Sequence, residues 1–374
     1  MTILELTKND RPRWNAFVAA EFPPVGAFLQ SWEWGIFKGN LHGKIARYAI
    51  LEDTPKKDTS KDVWIGCFQL EIHTLPLRLT YGYAPRGPVI NKEVWEDEKK
   101  VSEIFRTIAD YFHTHAGELI FIRFEPPHQK HFAAYTLAPF RRQSYYLQPR
   151  FNQLVPVGTE KDPETILKGM SADIRHDIRA AERLQVTIED VATLNEQDAM
   201  AFERMKDETR ARSGKNIFPS NRYFTNFLAC FNHEPSKQQF GTQIEPYIRY
   251  FVAKKDGAAV AINLNVVFAD TLTYLYGASY SGPASKRAPA YLHWKTMHYA
   301  ANHGLKYYDL GGVDDAASSW QGLSYFKKQF GGETLEYVGT VNVVMRPFLY
   351  ALYSSAKRCS NYLSTCLKAP AKRK

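Results

Sequence analysis

Apolar and polar positions alternate along the chain in two distinct rhythms, one suited to strands and one to helices. Residues 10–22 repeat at helical spacing and stop before Pro23-Pro24, which predicts a short helix. The run Phe28-Leu29-Gln30-Ser31-Trp32-Glu33-Trp34-Gly35-Ile36-Phe37-Lys38-Gly39-Asn40 predicts a second, with Ser31 as N-cap and Trp34 and Phe37 on one face. Strand-like alternation follows at Lys44–Glu52, Val63–His73 and Leu77–Tyr83, with a polar loop at Asp53–Asp62. Tyr81-Gly82-Tyr83-Ala84-Pro85-Arg86-Gly87-Pro88 reads as a turn, Lys92–His115 as an amphipathic helix, and Glu118–Phe124 as an apolar strand ended by Pro126-Pro127.

The same order returns later in the chain. Arg249-Tyr250-Phe251-Val252 parallels Arg47-Tyr48-Ala49-Ile50. Tyr276-Gly277-Ala278-Ser279-Tyr280-Ser281-Gly282-Pro283 matches the Tyr81-to-Pro88 turn with Tyr-Gly and Gly-Pro in register. A helix over Pro289–Asn302 and a strand opened by Gly304 complete the second copy. The pattern predicts a duplicated α/β unit. Between the copies lie three helical stretches, Pro163–Gln185, Leu194–Thr209 and Asn221–Phe231. In the first, Arg175, Arg179 and Arg183 fall four apart and form one basic stripe.

Composition narrows the class. Over 374 residues, 44% hydrophobic and 14% aromatic content is ample for a folded core. The net charge of +9 points to a polyanionic partner: RNA, a nucleotide or an anionic membrane. The charge is uneven: after Glu336 no acidic residue occurs, while Arg346, Lys357, Arg358, Lys368, Lys372, Arg373 and Lys374 are all basic. Pro347 opens a helical pattern through Cys366, predicted to be mostly packed, with residues 367–374 loose. The four cysteines form no CxxC and the histidines no metal-ligand spacing, His113 and His115 reading as capping or solvated residues. No signal peptide or membrane-spanning run is evident, so a reduced, cytoplasmic protein without a metal is expected.

The most chemically suggestive stretch is Tyr307-Tyr308-Asp309-Leu310-Gly311-Gly312 followed by Phe326-Lys327-Lys328-Gln329-Phe330-Gly331-Gly332. It reads as a buried strand, a glycine turn, and a lysine held between aromatics on a loop. Such a cation suits a phosphate or a developing oxyanion; a solvated lysine beside a plain turn is the alternative. Asp309 reads as the cap of the Gly-Gly turn.

Taken in order, several motifs resemble the FemABX family of non-ribosomal peptidyl transferases of bacterial cell-wall synthesis. They are Gln30-Ser31-x-x-Trp34-x-x-Phe37-Lys38, Pro85-Arg86-Gly87-Pro88-Val89, Met170-x-x-x-x-Arg175-x-x-Ile178-Arg179-x-Ala181, Thr209-x-x-Arg212, Arg287-Ala288-Pro289, Tyr308-Asp309-Leu310-Gly311-Gly312 and Phe326-Lys327-x-x-Phe330-Gly331-Gly332. The resemblance implies an α/β (α+β) protein of two tandem acetyltransferase-like (GNAT-type) domains with a cleft between them. Their expected extents are 1–150 plus 337–374, and 151–336. It implies transfer of an amino acid from aminoacyl-tRNA to the stem peptide of a UDP- or lipid-linked muramyl pentapeptide, a peptidoglycan precursor, by a monomer needing no cofactor. Carried over, Lys38 and Arg212 would hold the diphosphate with Asn40 and Thr209 beside them. Lys327 would contact the tRNA end or the reacting ester, and Tyr274 and Tyr276 the stem peptide near the reacting centre, with Lys327 and Tyr276 as the catalytic pair. A lipid-linked acceptor would make peripheral contact with the inner membrane surface useful.

The sequence departs from the family in two places. No heptad-rich helical arm interrupts the stretch from Phe151 to Glu245, which leaves the amino acid and tRNA open. The loop after Arg212 reads Ser213-Gly214-Lys215-Asn216, more basic than the usual acidic-glycine pair. Two other functions compete. A CoA-dependent N-acyltransferase would bind pyrophosphate with a glycine-rich turn, yet Ser285-Lys286-Arg287-Ala288-Pro289-Ala290-Tyr291 has no glycine. A non-catalytic RNA- or precursor-binding protein would tend to lose one of Lys38, Arg212 and Lys327, and all three are present.

Overall fold

A computed structural model describes residues 1–22, 26–53, 63–128, 140–143, 146–158, 163–214, 218–231, 245–317 and 320–368. The loop expected at 53–62, the Lys215-Asn216 pair and the last residues of the tail lie largely or wholly outside them.

The chain begins with β1 (Thr2–Glu5), α1 (Arg11–Glu21), α2 (Trp32–His42), β2 (Ile45–Leu51), β3 (Trp64–Thr74), β4 (Thr80–Ala84) and β5 (Val89–Ile90). Next come α3 (Lys92–Trp95), α4 (Glu98–His115), β6 (Leu119–Phe124) and β7 (Phe140–Arg142). The single helix expected over 92–115 is thus two. Asp97 breaks it and caps the second, its carboxylate accepting from the Lys99 and Lys100 amides. Ser31 caps α2 as the pattern predicts, its hydroxyl accepting from the Trp34 amide at 3.1 Å.

The second half holds β8 (Phe151–Pro156), α5 (Pro163–Lys168), α6 (Ala172–Arg183), β9 (Thr187–Val191), α7 (Glu196–Ser213) and α8 (Asn221–Phe231). It continues with β10 (Tyr247–Lys255), β11 (Ala258–Phe268), β12 (Thr271–Ser279), α9 (Pro283–Asn302), β13 (Tyr307–Val313), α10 (Gln321–Lys328) and β14 (Glu333–Glu336). The helix expected over 163–185 is also split, because Gly169 and the Ser171 cap separate α5 from α6. Two elements remain: β15 (Val341–Val344) and α11 (Pro347–Lys368).

Two sheets result. One runs β1-β2-β3-β4-β6-β15-β7, with β5 paired to β3; the other runs β14-β8-β13-β12-β11-β10-β9. The α/β duplication read from the sequence is present in both. β4 and β6 pair in parallel across α4, and β12 and β13 pair in parallel across α9. The halves meet through aromatic packing: Phe37 of α2 is fully buried against Tyr223, Phe227 and Phe231 of α8, with ring centroids 4.8, 5.4 and 6.5 Å away. One apolar core spans both units, including Trp14, Phe37 and Cys67 from the first and Phe227, Ile262 and Leu264 from the second.

Candidate active site

The site opens where the second sheet comes apart. β12 and β13 pair only from Thr271–Tyr307 to Thr273–Asp309, and beyond that the strands separate. Into the gap comes Lys327, whose Nζ donates to the Gly312 carbonyl at 2.9 Å and lies 5.8 Å from the Tyr274 ring centroid. Lys327 belongs to the helix α10, not to a loop, and it is buried. Its expected aromatic neighbours turn elsewhere: Phe326 and Phe330 pack on His293. Burial lowers the Lys327 ammonium to about 8, while the charge of Asp309 partly supports it.

Asp309 is fixed as the Gly-Gly turn requires. Its Oδ1 accepts from the Gly311 amide at 2.7 Å and from Asn152 Nδ2 at 3.3 Å. Gly311 sits at φ +78°, and a Cβ there would lie 3.5 Å from Lys327 Nζ. Burial raises the Asp309 carboxyl above the usual range, against the Gly311 and Asn152 hydrogen bonds and the charges of Lys327 and Arg86.

Arg86 enters this arrangement from the first domain. At φ +51°, it sends its Nη2 to the Pro149 carbonyl at 2.8 Å and to Asn152 Oδ1 at 3.4 Å, with its guanidinium 3.7 Å from the Tyr337 ring centroid. A left-handed non-glycine residue costs of order 1–3 kcal/mol and persists only where its surroundings hold it. Arg86, Asn152, Asp309 and Lys327 therefore form a buried polar chain joining the two domains. The Pro-Arg-Gly-Pro motif marked the turn, but nothing in the sequence paired Arg86 with Asn152.

A cleft of 790 Å³ collects Lys38, Arg86, Thr209, Tyr274, Tyr276 and Lys327 on its walls. Lys38 reaches it from α2 and is already engaged, its Nζ 3.1 Å from Glu71 Oε2. Burial raises the Glu71 carboxyl, and Lys38 opposes that rise. Tyr274 and Tyr276, two apart on β12, would ordinarily share a sheet face. A bulge between Leu264 and Asn265 on β11 adds one residue to β12 and separates them. Tyr274 packs against His293 at 4.8 Å between ring centroids, whereas Tyr276 hydrogen-bonds the Tyr223 hydroxyl at 3.2 Å. Burial pushes the Tyr274 phenol up to about 12 and raises that of Tyr276 as well.

Two expected site residues stand outside the cleft walls. Asn40, two residues beyond Lys38, points around the helix to Cys230, 3.7 Å from its Sγ. Arg212 lies in the last turn of α7, which runs past Thr209 to the left-handed cap Gly214. Its guanidinium donates to Thr209 Oγ1 at 3.0 Å, the Ser279 carbonyl at 2.9 Å and Ser281 Oγ at 2.9 Å. Lys38 and Arg212 thus do not share the walls of this cleft. Arg212 instead links the cleft, through Thr209, to a second cavity.

That second cavity, of 700 Å³, is lined by Arg183, Ser281, Gly282, Pro283, Lys286 and Arg287. It lies at the N-terminus of α9, which begins at Pro283, earlier than the Pro289 start expected, and carries Pro289 inside. The turn that precedes the helix is therefore Ser281-Gly282, and it does contain a glycine. Gly282 offers no side-chain cap to the helix end, beside which Arg183 and Lys286 line the cavity, while Arg287 on the same wall is paired with Asp177.

These features define a class first: two fused α/β domains, each with a mixed sheet whose parallel strand pair is joined through a helix, and a cleft lined by both. Residues 234–358 match the sequence model of the FemAB family. The chain is 23% identical over 206 residues to the UDP-N-acetylmuramoylpentapeptide-lysine N(6)-alanyltransferase of Weissella viridescens, covering 55% of this chain and 56% of that one. It is 36% identical over 87 residues to the lipid II:glycine glycyltransferase of Staphylococcus aureus (strain COL), covering 22% and 21% respectively. The aligned stretches thus span a fifth to about half of those relatives' lengths. The crystal structure of FemX superposes with a TM-score of 0.75 at 18% identity, over 94% of this chain and 99% of that one. At that identity the likeness concerns the fold alone. The likeness to the FemAB family is thus carried by residues 234–358, beside partial matches to these two relatives.

Proposed function

We propose that the protein is an aminoacyltransferase that moves an amino acid from aminoacyl-tRNA onto the stem peptide of a peptidoglycan precursor at the inner face of the membrane. The observation that carries this reading is the cleft itself, where Lys38 of the first domain faces Tyr274 and Lys327 of the second. An aminoacyl ester is already activated, so the reaction asks for no cofactor. A neutral amine adds to the carbonyl while donors hold the oxyanion. The ester C–O bond then breaks to release the tRNA hydroxyl, which takes up the proton the amine gives up. Lys327, held by the Gly312 carbonyl, would supply the charge for the oxyanion; Tyr274 and Tyr276 would flank the stem peptide. Lys38, released from Glu71, would take the precursor's diphosphate. The cationic cavity at the start of α9 would hold phosphates of the tRNA acceptor end, with Arg212 keeping it in register with the cleft.

That same cavity favours a second reading. A helix N-terminus preceded by glycine also suits the pyrophosphate of CoA. Transfer assays with a UDP-linked muramyl pentapeptide separate the two, using charged tRNA in one arm and acyl-CoA in the other. Product from charged tRNA alone supports the proposal; product from acyl-CoA alone overturns it.

A further inference from the structure

The last helix does not pack as its pattern predicts. Leu349, Tyr350 and Tyr353 of α11 lie on the first sheet against Phe121 and Val344, joined there by Leu75 and Leu79. Its opposite face is open: Phe348 is 81% exposed and Leu352, one turn on, 60%. Beside it, the Pro76–Arg78 turn holds Leu77 at φ +62° and 88% exposed, with Arg78 also exposed. Leu75 and Leu79 on either side of the turn pack with α11, so these large exposed apolar side chains sit on neighbouring elements and call for a cover.

Charge identifies the cover. The same two elements carry exposed cations, Arg358 on α11 and Arg78 in the turn, and the segment after Glu336 contains no acid. An RNA backbone would engage the cations but leave Phe348, Leu352 and Leu77 in water. A bilayer with anionic headgroups satisfies both kinds of group. Among the described residues no helix is long and apolar enough to cross a membrane, so the contact would be peripheral.

Position connects this surface to the cleft. Lys38 meets Glu71, and Glu71 lies 3.9 Å from His73. The His73 ring stacks on Tyr81 at 4.7 Å, and Tyr81 lies 6.2 Å from Tyr353 of α11. One continuous track of side chains on the first sheet thus runs from the Lys38 wall to the helix. We propose that the outer face of α11 and the Pro76–Arg78 turn dock on an anionic lipid surface, bringing the Lys38 end of the cleft to a lipid-linked acceptor. The acceptor half of this statement rests on the function proposed above; the docking half does not.

Flotation with vesicles tests the docking directly. The full chain should bind vesicles of phosphatidylglycerol and phosphatidylcholine in equal parts, and lose them in high salt or when phosphatidylcholine is used alone. Arg78→Gln with Arg358→Gln should weaken binding by about thirtyfold, from roughly 1 kcal/mol per basic residue. Phe348→Glu with Leu352→Glu should weaken it by at least about tenfold, and Leu77→Glu in the same direction. All three variants should still melt cooperatively and use a soluble UDP-linked acceptor as the parent protein does. Undiminished vesicle binding in the glutamate variants would overturn the proposal. So would a loss of tRNA binding, with vesicle binding intact, in the Gln pair. Vesicle binding without any transfer activity would support the surface and count against the acceptor reading.

Discussion

Lys327 is a cation placed where water is scarce, and its surroundings set its working range. With burial holding the ammonium at about 8, kcat/KM should fall on the alkaline side near that pH. Asp309 raises the lysine's affinity for its proton, so Asp309→Asn should move that limb to lower pH; a limb that stays in place would disprove the coupling. Glu71 supplies a second test. It occupies Lys38 in the resting site, and Glu71→Gln should free that lysine and lower KM for the precursor several-fold. A raised KM would mean that Glu71 aids the acceptor. Lys38 and Lys327 stood out through motifs that resemble those of the FemABX family, since by pattern alone Lys38 reads as a solvated helix end and the aromatics beside Lys327 turn to His293. The Arg86–Asn152–Asp309 chain was not legible in the sequence, since its members lie far apart in sequence and polar partners leave no periodic trace.

Elements were read correctly wherever a full amphipathic period was present, as in α2 and α8, and misjudged at their ends. Asp97 and Ser171 interrupt apolar patterns that otherwise continue, and only the resulting caps reveal the breaks. Pro289 suggested a helix start, yet α9 carries it within and begins at Pro283. That shift matters because it moves the cationic helix end to Gly282. Arg183→Ala with Lys286→Ala should raise KM for aminoacyl-tRNA and make its salt dependence shallower by up to about two phosphate contacts. An unchanged salt slope would remove phosphates from this cavity. The α2–α8 contact invites its own measurement: Phe37→Ala should cost about 3–5 kcal/mol in denaturant unfolding. A loss under 1 kcal/mol, on the order of an exposed substitution, would show that the contact does little to hold the halves together.

At the scale of the whole molecule, the repeat in the sequence was enough to foresee two related sheets, because strand, turn and helix recur in the same order. It could not foresee how the halves face one another. That depends on Phe37 meeting α8 and on Arg86 reaching Asn152, contacts between residues with no sequence relation. The central claim is that Lys38 of the first domain holds the acceptor's diphosphate while Lys327 of the second serves the transfer step. Steady-state kinetics on Lys38→Ala and Lys327→Met, with precursor and charged tRNA varied separately, tests it most directly. Lys38→Ala should raise KM for the precursor and largely spare kcat. Lys327→Met should lower kcat by about 10²–10³-fold and leave the precursor KM nearly unchanged. If both variants change the same parameter for the same substrate, the division of labour across the cleft is wrong.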